Sequence, residues 1–278
     1  MTNPLSQYFR QPAIYIKLPS NGEFYPEGTL DMPPNGELPV LPMTAIDEIT
    51  YRTPDALFNG TAVANVIQSC VPNIKNGWVV PSTDLDTILV GIRIATYGHE
   101  MEVNCVCPKC TNTDEYTTDL RGTIDLMKSP NYQVPLHNGD MEIYFRPMNY
   151  KMLNQNSQLQ FEEQKVLQSL ASADEATTEK QSHLISNILQ KITDMTVKAI
   201  AQSIGAIKTP TSIVTESDQI EEFLKNCDRK LFSKIRDNII NLKSQSELKP
   251  MKVKCTQCSN EYEQPFTLDM SSFFDSAS

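Results

Sequence analysis

Two matched cysteine turns, placed far apart, restrict the fold of this chain more than any other feature. Cys107-Pro108-Lys109-Cys110 and Cys255-Thr256-Gln257-Cys258 are both Cys-x-x-Cys, and 145 residues separate Cys110 from Cys255. Two residues between cysteines make a tight knuckle that aims both thiolates at one ion about 2.3 Å away, and two knuckles complete the tetrahedral shell that structural zinc prefers. Either knuckle alone is a weak signal. No βαβ pattern surrounds them, which argues against a pair of redox motifs. Their flanks also run in parallel: Cys105 matches Val253, Asn112 matches Asn260, and Tyr116 and Tyr262 follow shortly after. In a strand, residues two apart share a face, so Cys105 reads as a packed strand residue rather than a fifth ligand. The pattern predicts two β-hairpins related by a rough two-fold axis, a zinc ribbon holding its metal through Cys107, Cys110, Cys255 and Cys258.

An ordinary finger spaces its ligand pairs by about 12 to 20 residues, so something is inserted here. Tyr132–Leu136 and Met141–Phe145 read as a strand pair turned by Asn138-Gly139. A polar helix rich in Gln and Asn follows from Met148 to Leu170. A second helix from Ala176 to Ile204 carries Leu184, Ile185, Ile188, Leu189, Ile192, Met195, Ala199 and Ile200 on one face and is expected to end at Gly205. Thr215 with Asp218 reads as a capping box, opening helices that carry Ile220, Phe223, Leu224, Leu231, Phe232, Ile235 and Ile239.

Residues 1 to 60 are dense in proline and glycine, which suits short strands and loops. Ala13–Leu18 reads as one strand and Leu38–Leu41 as an edge strand that tolerates Pro39. Between them, Leu18 to Gly28 reads as a pair of tight turns. Its Phe24 and Tyr25 either anchor a partner or fold back onto the strand at Ile14 and Ile16. Helices are expected after Thr44, as a cap followed by Asp47 and Glu48, and after Gly60, with Val63, Val66, Ile67 and Cys70 on one stripe. A third runs from a Ser82 or Thr83 cap to Tyr97, ended by Gly98. The fold class is therefore α+β in three parts: a β-rich and helical N-terminal region at 1–99, a zinc-ribbon-like module from 100–146 and 250–278, and a helical bundle inserted at 147–249.

Apolar residues make up 40% of the chain and charged residues 21%, enough for a core and too few charges for a disordered polyelectrolyte. The formal charge of −10 opposes nucleic-acid binding, which depends on Lys and Arg displacing counterions. Residues 1–145 carry −9 of it. Met1–Arg10 has no basic stretch leading into an apolar core, and no run approaches the roughly 18 apolar residues of a membrane span, so neither a secretory signal nor a membrane partner is expected. The chain is expected in the cytoplasm, where thiols stay reduced and the seven cysteines read as ligands or core. The three histidines, His99, His137 and His183, pair with no nucleophile, and no phosphate-binding glycine loop exists. His99 reads as a surface residue at a helix end. Asp84 and Asp86 read as a helix start, and Asp114 and Glu115 as a solvated hairpin, so no enzyme is expected. A rival class is a zinc-ribbon adaptor for nucleic acid, supported by Lys109, Lys252 and Lys254 but outnumbered by Glu100, Glu102, Asp114, Glu115, Glu261 and Glu263.

The stretch Leu18–Gly28, Met43-Thr44 with Asp47-Glu48, and Ile92–Gly98 followed by Cys107–Cys110 resembles the baseplate hub subunits and hub assembly proteins of T4-like contractile-tailed phages. The resemblance covers most of the chain, best over residues 13–110. Ile220, Phe223-Leu224, Asp228, Phe232, Cys255–Cys258 and Phe273-Phe274 agree more loosely. It implies a non-enzymatic role in building the central hub, with other baseplate hub or tail proteins as partners, in the virion tail or during assembly. Members need not keep four cysteines, so the expectation of zinc rests on this sequence.

Overall fold

Frequent proline and glycine in the first sixty residues leave room only for short extended runs. In the computed structural model, which describes residues 3–171, 178–246 and 250–264 and omits the side chains of 166–189, those runs form a two-stranded sheet. β1 (Ile14–Lys17) pairs antiparallel with β2 (Glu37–Val40), placing Pro39 opposite Tyr15 at a sheet edge. α1 (Ala45–Tyr51) opens on a reciprocal capping box: Thr44 Oγ1 accepts the Asp47 N–H, and the Asp47 carboxylate accepts the Thr44 N–H. After α2 (Pro54–Phe58), Gly60 turns the chain at φ 79 into α3 (Thr61–Cys70), whose predicted stripe, Val63, Val66, Ile67 and Cys70, is buried. α4 (Ser82–Tyr97) begins directly after Pro81 with no side-chain cap, so neither Ser82 nor Thr83 serves as one; Gly98 at φ 93 ends it as expected.

Helix α4 is the centre of this part of the molecule. Ile88, Leu89, Val90 and Ile92 are fully buried, as a helix surrounded by neighbours requires. At Gly91 a Cβ would lie 3.1 Å from Ile16 Cγ2, so the missing side chain lets β1 lie close against the helix. β3 (Glu100–Val106) and β4 (Thr113–Asp119) follow as a hairpin, then α5 (Leu120–Leu126) packs on α4.

The next elements are β5 (Leu136–Asn138), β6 (Met141–Phe145), α6 (Tyr150–Ala171), α7 (Thr178–Gln202), β7 (Ile204–Lys208), β8 (Ile213–Val214), α8 (Ser217–Asn226) and α9 (Arg229–Ser246). β9 (Met251–Lys254) and β10 (Glu261–Gln264) then form a last antiparallel hairpin. By internal contacts the chain divides into two units, Met1–Ser129 with Ser246–Ser278, and Pro130–Gln245. The ribbon module expected at 100–146 is therefore too long. Ile143 of β6 lies opposite Ile207 of β7 in a four-stranded sheet ordered β5-β6-β7-β8, so the expected hairpin belongs to the second unit; its first strand is Leu136–Asn138 rather than Tyr132–Leu136, and because Asn138 pairs with Met141 its turn is Gly139-Asp140. The reason is burial: Ile143, Phe145, Ile204 and Ile207 share one core with Val197, Ile200, Ile220, Leu224, Leu231 and Ile235 from the helices. The expected 1–99 region is likewise continuous with the first hairpin.

Two local expectations change with it. Gly205 lies inside β7 rather than after a helix, and α8 opens at Glu216 without the Thr215–Asp218 box. Leu184, Ile185, Ile188 and Leu189 fall among the undescribed side chains, and Phe273-Phe274 lie outside the described residues. No described helix is long and apolar enough to cross a membrane.

A buried carboxylate fixes the Leu18–Gly28 turns. Asp84 is fully buried; its Oδ1 accepts the Ser20 N–H at 2.8 Å and its Oδ2 the Ser20 hydroxyl at 2.5 Å. The Tyr25 hydroxyl is also buried near this carboxylate but makes no hydrogen bond of ordinary geometry, and burial followed by the Asp84 charge raises its pKa. Tyr25 thus folds inward, while Phe24, at φ 70, stays 36% exposed. Burial pushes the Asp84 pKa up to about 6 from 3.8, against the Ser20 hydrogen bonds, which act to lower it. The folded chain therefore holds a proton on Asp84 at pH values where the unfolded chain has lost it, and stability falls as pH rises through about 4 to 6. From pH 5 to pH 7 this amounts to about 1 kcal/mol. Denaturant titrations of the wild type and Asp84→Asn at both pH values should show that loss only in the wild type; equal pH slopes would refute it.

Candidate metal centre

The two cysteine turns sit on the two ribbon hairpins, and a shift of 148 residues carries Cys107 onto Cys255 and Cys110 onto Cys258. The same shift carries strand register onto strand register. Cys105 opposite Asp114 becomes Val253 opposite Tyr262, and Val106 opposite Thr113 becomes Lys254 opposite Glu261. The turns match bond for bond: Cys107 N–H donates to Asn112 O at 2.9 Å and Thr111 N–H to Cys107 O at 2.9 Å, while Cys255 N–H donates to Asn260 O at 2.9 Å and Ser259 N–H to Cys255 O at 3.0 Å. Thr111 and Ser259, just past the second cysteine of each knuckle, are left-handed at φ 59 and φ 55. A non-glycine residue held there costs about 1 kcal/mol or more, and the knuckle bonds hold both in place.

These turns bring the four predicted sulfurs together. All four lie within 4.8 Å of one another, with Cys107 Sγ 3.7 Å from Cys258 Sγ and Cys110 Sγ 3.6 Å from Cys255 Sγ. A tetrahedron of sulfurs about 2.3 Å from a central ion has edges of about 3.8 Å, so the close pairs already stand near ligand spacing. A disulfide would need about 2.05 Å, and all seven cysteines are free. Cys107 and Cys255 are buried, while Cys110 and Cys258 are partly exposed. Cys105 is buried beneath the hairpin, its Sγ 3.8 Å from Val103 O, and is not one of the four. His99 closes the hairpin base through its carbonyl, which accepts the Leu120 N–H at 2.8 Å.

Crowding sets the electrostatics. Burial alone would raise the Cys107 pKa, but the backbone N–H groups of Cys110 and Lys109, with the Cys258 and Cys110 thiols, bring it down to about 6. Cys110 moves the other way, to about 12: the Asn112 backbone N–H favours its thiolate, and burial with the Cys258, Cys255 and Cys107 thiols outweighs that effect. Thiols packed this closely cannot all ionise unaided, and a divalent cation among them would supply the missing charge. Four thiolates leave no open coordination position, so such a centre holds shape rather than activating water.

Three residues tie one hairpin to the other. Asp114 on β4 accepts both the Thr256 N–H at 3.0 Å and the Thr256 hydroxyl. The Tyr116 hydroxyl donates to Lys254 O, and Asn260 Nδ2 lies 3.9 Å from Cys107 Sγ. Sequence reasoning found the four cysteines and the matched asparagines. It missed Asp114, whose partner lies 142 residues away and is invisible to local patterning.

Residues 41–275 match the family described as T4 bacteriophage base plate protein, and the chain belongs to that family. The match begins just after β2 and runs through α1 to both knuckles and all of the second unit; β1, β2 and the Leu18–Gly28 turns lie outside it. Baseplate membership implies contact with other phage tail proteins. No curated protein and no solved structure matches the chain.

The four-sulfur geometry predicts a sharp difference between cysteines. Cys258→Ser should lose the bound metal and lower the unfolding midpoint of the first unit, because metal binding and folding are coupled. Cys105→Ser should keep one metal per chain. Elemental analysis and thermal melts of both variants test this; metal retained without Cys258, or lost without Cys105, would break the assignment.

Proposed function

We infer that this chain is a structural or assembly protein of the phage baseplate hub, working by protein–protein contact around one structural zinc held by Cys107, Cys110, Cys255 and Cys258. The observation that carries the reading is the closed tetrad of thiols at ligand spacing in a member of the base plate family. Thiolate ligands at this spacing suit zinc, and a closed shell offers no catalytic position. Binding one divalent zinc to four thiolates would take the formal charge from −10 to −12, which deepens the acidity that opposes a nucleic-acid role.

Enzymatic activity is not part of this reading. The partner surface is assigned to the N-terminal region and the inserted helices, and within the Leu18–Gly28 turns it now rests on Phe24, since the Tyr25 hydroxyl is buried. An aromatic exposed on a turn held by a buried carboxylate is a rigid anchor.

Mass spectrometry of purified phage particles with elemental analysis of the isolated chain tests the whole reading. A stoichiometric signal marks a virion component, and absence from particles with retention in hub subassemblies marks an assembly factor. Absence from both would refute the hub role, and absence of zinc would refute the metal. Phe24→Ala should leave zinc content and helicity unchanged while weakening co-purification with other hub proteins severalfold; normal assembly would place the contact elsewhere. A shift of DNA or RNA at physiological salt would favour the nucleic-acid adaptor.

A further inference from the structure

The two knuckles match in register, turn bonds and left-handed residues, and the shift of 148 residues exposes the place where they do not. Thr256 corresponds to Pro108, and Asp114 corresponds to Tyr262. Position 108 has no backbone N–H, because it is proline. Position 256 has one, and it points out of its own knuckle to the Asp114 carboxylate of the other hairpin, at 3.0 Å. Asp114 also accepts the Thr256 hydroxyl and the Asn112 Nδ2 at 2.8 Å, so one side chain joins the second knuckle to the turn of the first. The mirror contact is absent. With Pro108 opposite, Tyr262 has no amide to receive, and its buried hydroxyl has no hydrogen-bond partner.

We propose that Asp114 is a positioning residue for the metal centre, docking the second knuckle on the first through the Thr256 amide, a task that exists only because the second knuckle lacks the proline of the first. The proposal rests on the metal reading above. A carboxylate accepting from a backbone N–H makes a charge-assisted bond, and outer partners of this kind typically change metal affinity about 10- to 100-fold. Thr256 is exposed, so water can replace part of the contact, and the lower end of that range applies.

The test is zinc affinity of the full chain by competition with a chromophoric chelator, paired with the absorption spectrum of the cobalt-loaded form. Asp114→Ala should bind zinc about tenfold more weakly, with the tetrahedral tetrathiolate cobalt spectrum unchanged at saturation, because no ligand is lost. Asp114→Asn, which keeps an acceptor without the charge, should fall between Ala and wild type. Thr256→Pro makes the second knuckle match the first and removes both the amide and the hydroxyl that Asp114 accepts. It should therefore weaken zinc binding about as much as Asp114→Ala does, and adding Asp114→Ala to it should then change affinity less than about twofold further. Thr256→Ala keeps the amide and should lose less than Asp114→Ala.

Several results would overturn the proposal alone: unchanged affinity in Asp114→Ala, an undiminished tenfold loss in the Thr256→Pro background, or equal losses in Thr256→Ala and Asp114→Ala. If Thr256→Pro fails to fold, the comparison of Thr256→Ala with Asp114→Ala still decides. A wild-type chain that takes up neither zinc nor cobalt overturns the metal reading and the proposal with it.

Discussion

The pairing of the two ribbon hairpins depends on how four thiols share one small space. β3 with β4 and β9 with β10 are isolated two-stranded hairpins, a size that is marginal at best in water. Little apolar burial supports them: Cys105 and Val253 are the inward residues beneath the knuckles, and most other strand positions are exposed or half-exposed. What joins them is sulfur, a carboxylate and a tyrosine hydroxyl. Uncharged, the thiols are poor glue. Ionised, they would repel one another at this spacing. A cation held by the four would resolve the conflict and turn two marginal hairpins into one element.

The sequence was most legible where structure follows from neighbours in the chain. Thr44 and Asp47 cap α1 through residues three apart, Gly98 ends α4 through its own φ, and the α3 stripe follows from a 3.6-residue period. The knuckles were readable for a related reason: each is local, and metal chemistry itself supplies the rule that joins two of them. Strand β7 was not readable. Ile204-Gly205-Ala206-Ile207 continues an apolar run out of α7, and only pairing with Ile143 and Phe145 makes it a strand. Short apolar runs of that kind look alike whether they end a helix or begin a sheet.

The two misread carboxylates show the same limit in side chains. Asp84 and Asp114 both look like solvated acids, one at a helix start and one in a polar hairpin. Each instead accepts a backbone N–H and a hydroxyl from a residue distant in sequence, Ser20 in one case and Thr256 in the other. Composition cannot separate these from ordinary surface acids, because the difference lies in which amide is left without a partner when the chain closes up. Their settings still differ. Asp84 is fully buried and its charge is disfavoured, whereas Asp114 is only partly covered and its pKa is lowered by the Thr256 bonds. The same pair of bonds thus meets a desolvation penalty in one place and little of it in the other.

Insertion of the second unit between the knuckles also sets an order of events during synthesis. At about 5 to 20 residues per second, the step of 145 positions from Cys110 to Cys255 delays the second knuckle by roughly 7 to 30 s after the first. That is ample time for the inserted unit, whose sheet and helices are complete by Ser246, to fold unassisted. The first pair of thiols spends that interval as an open half-site. Closure of such a centre would therefore have to follow synthesis of the whole inserted unit, and a filled site would mark a chain whose translation has passed Cys258.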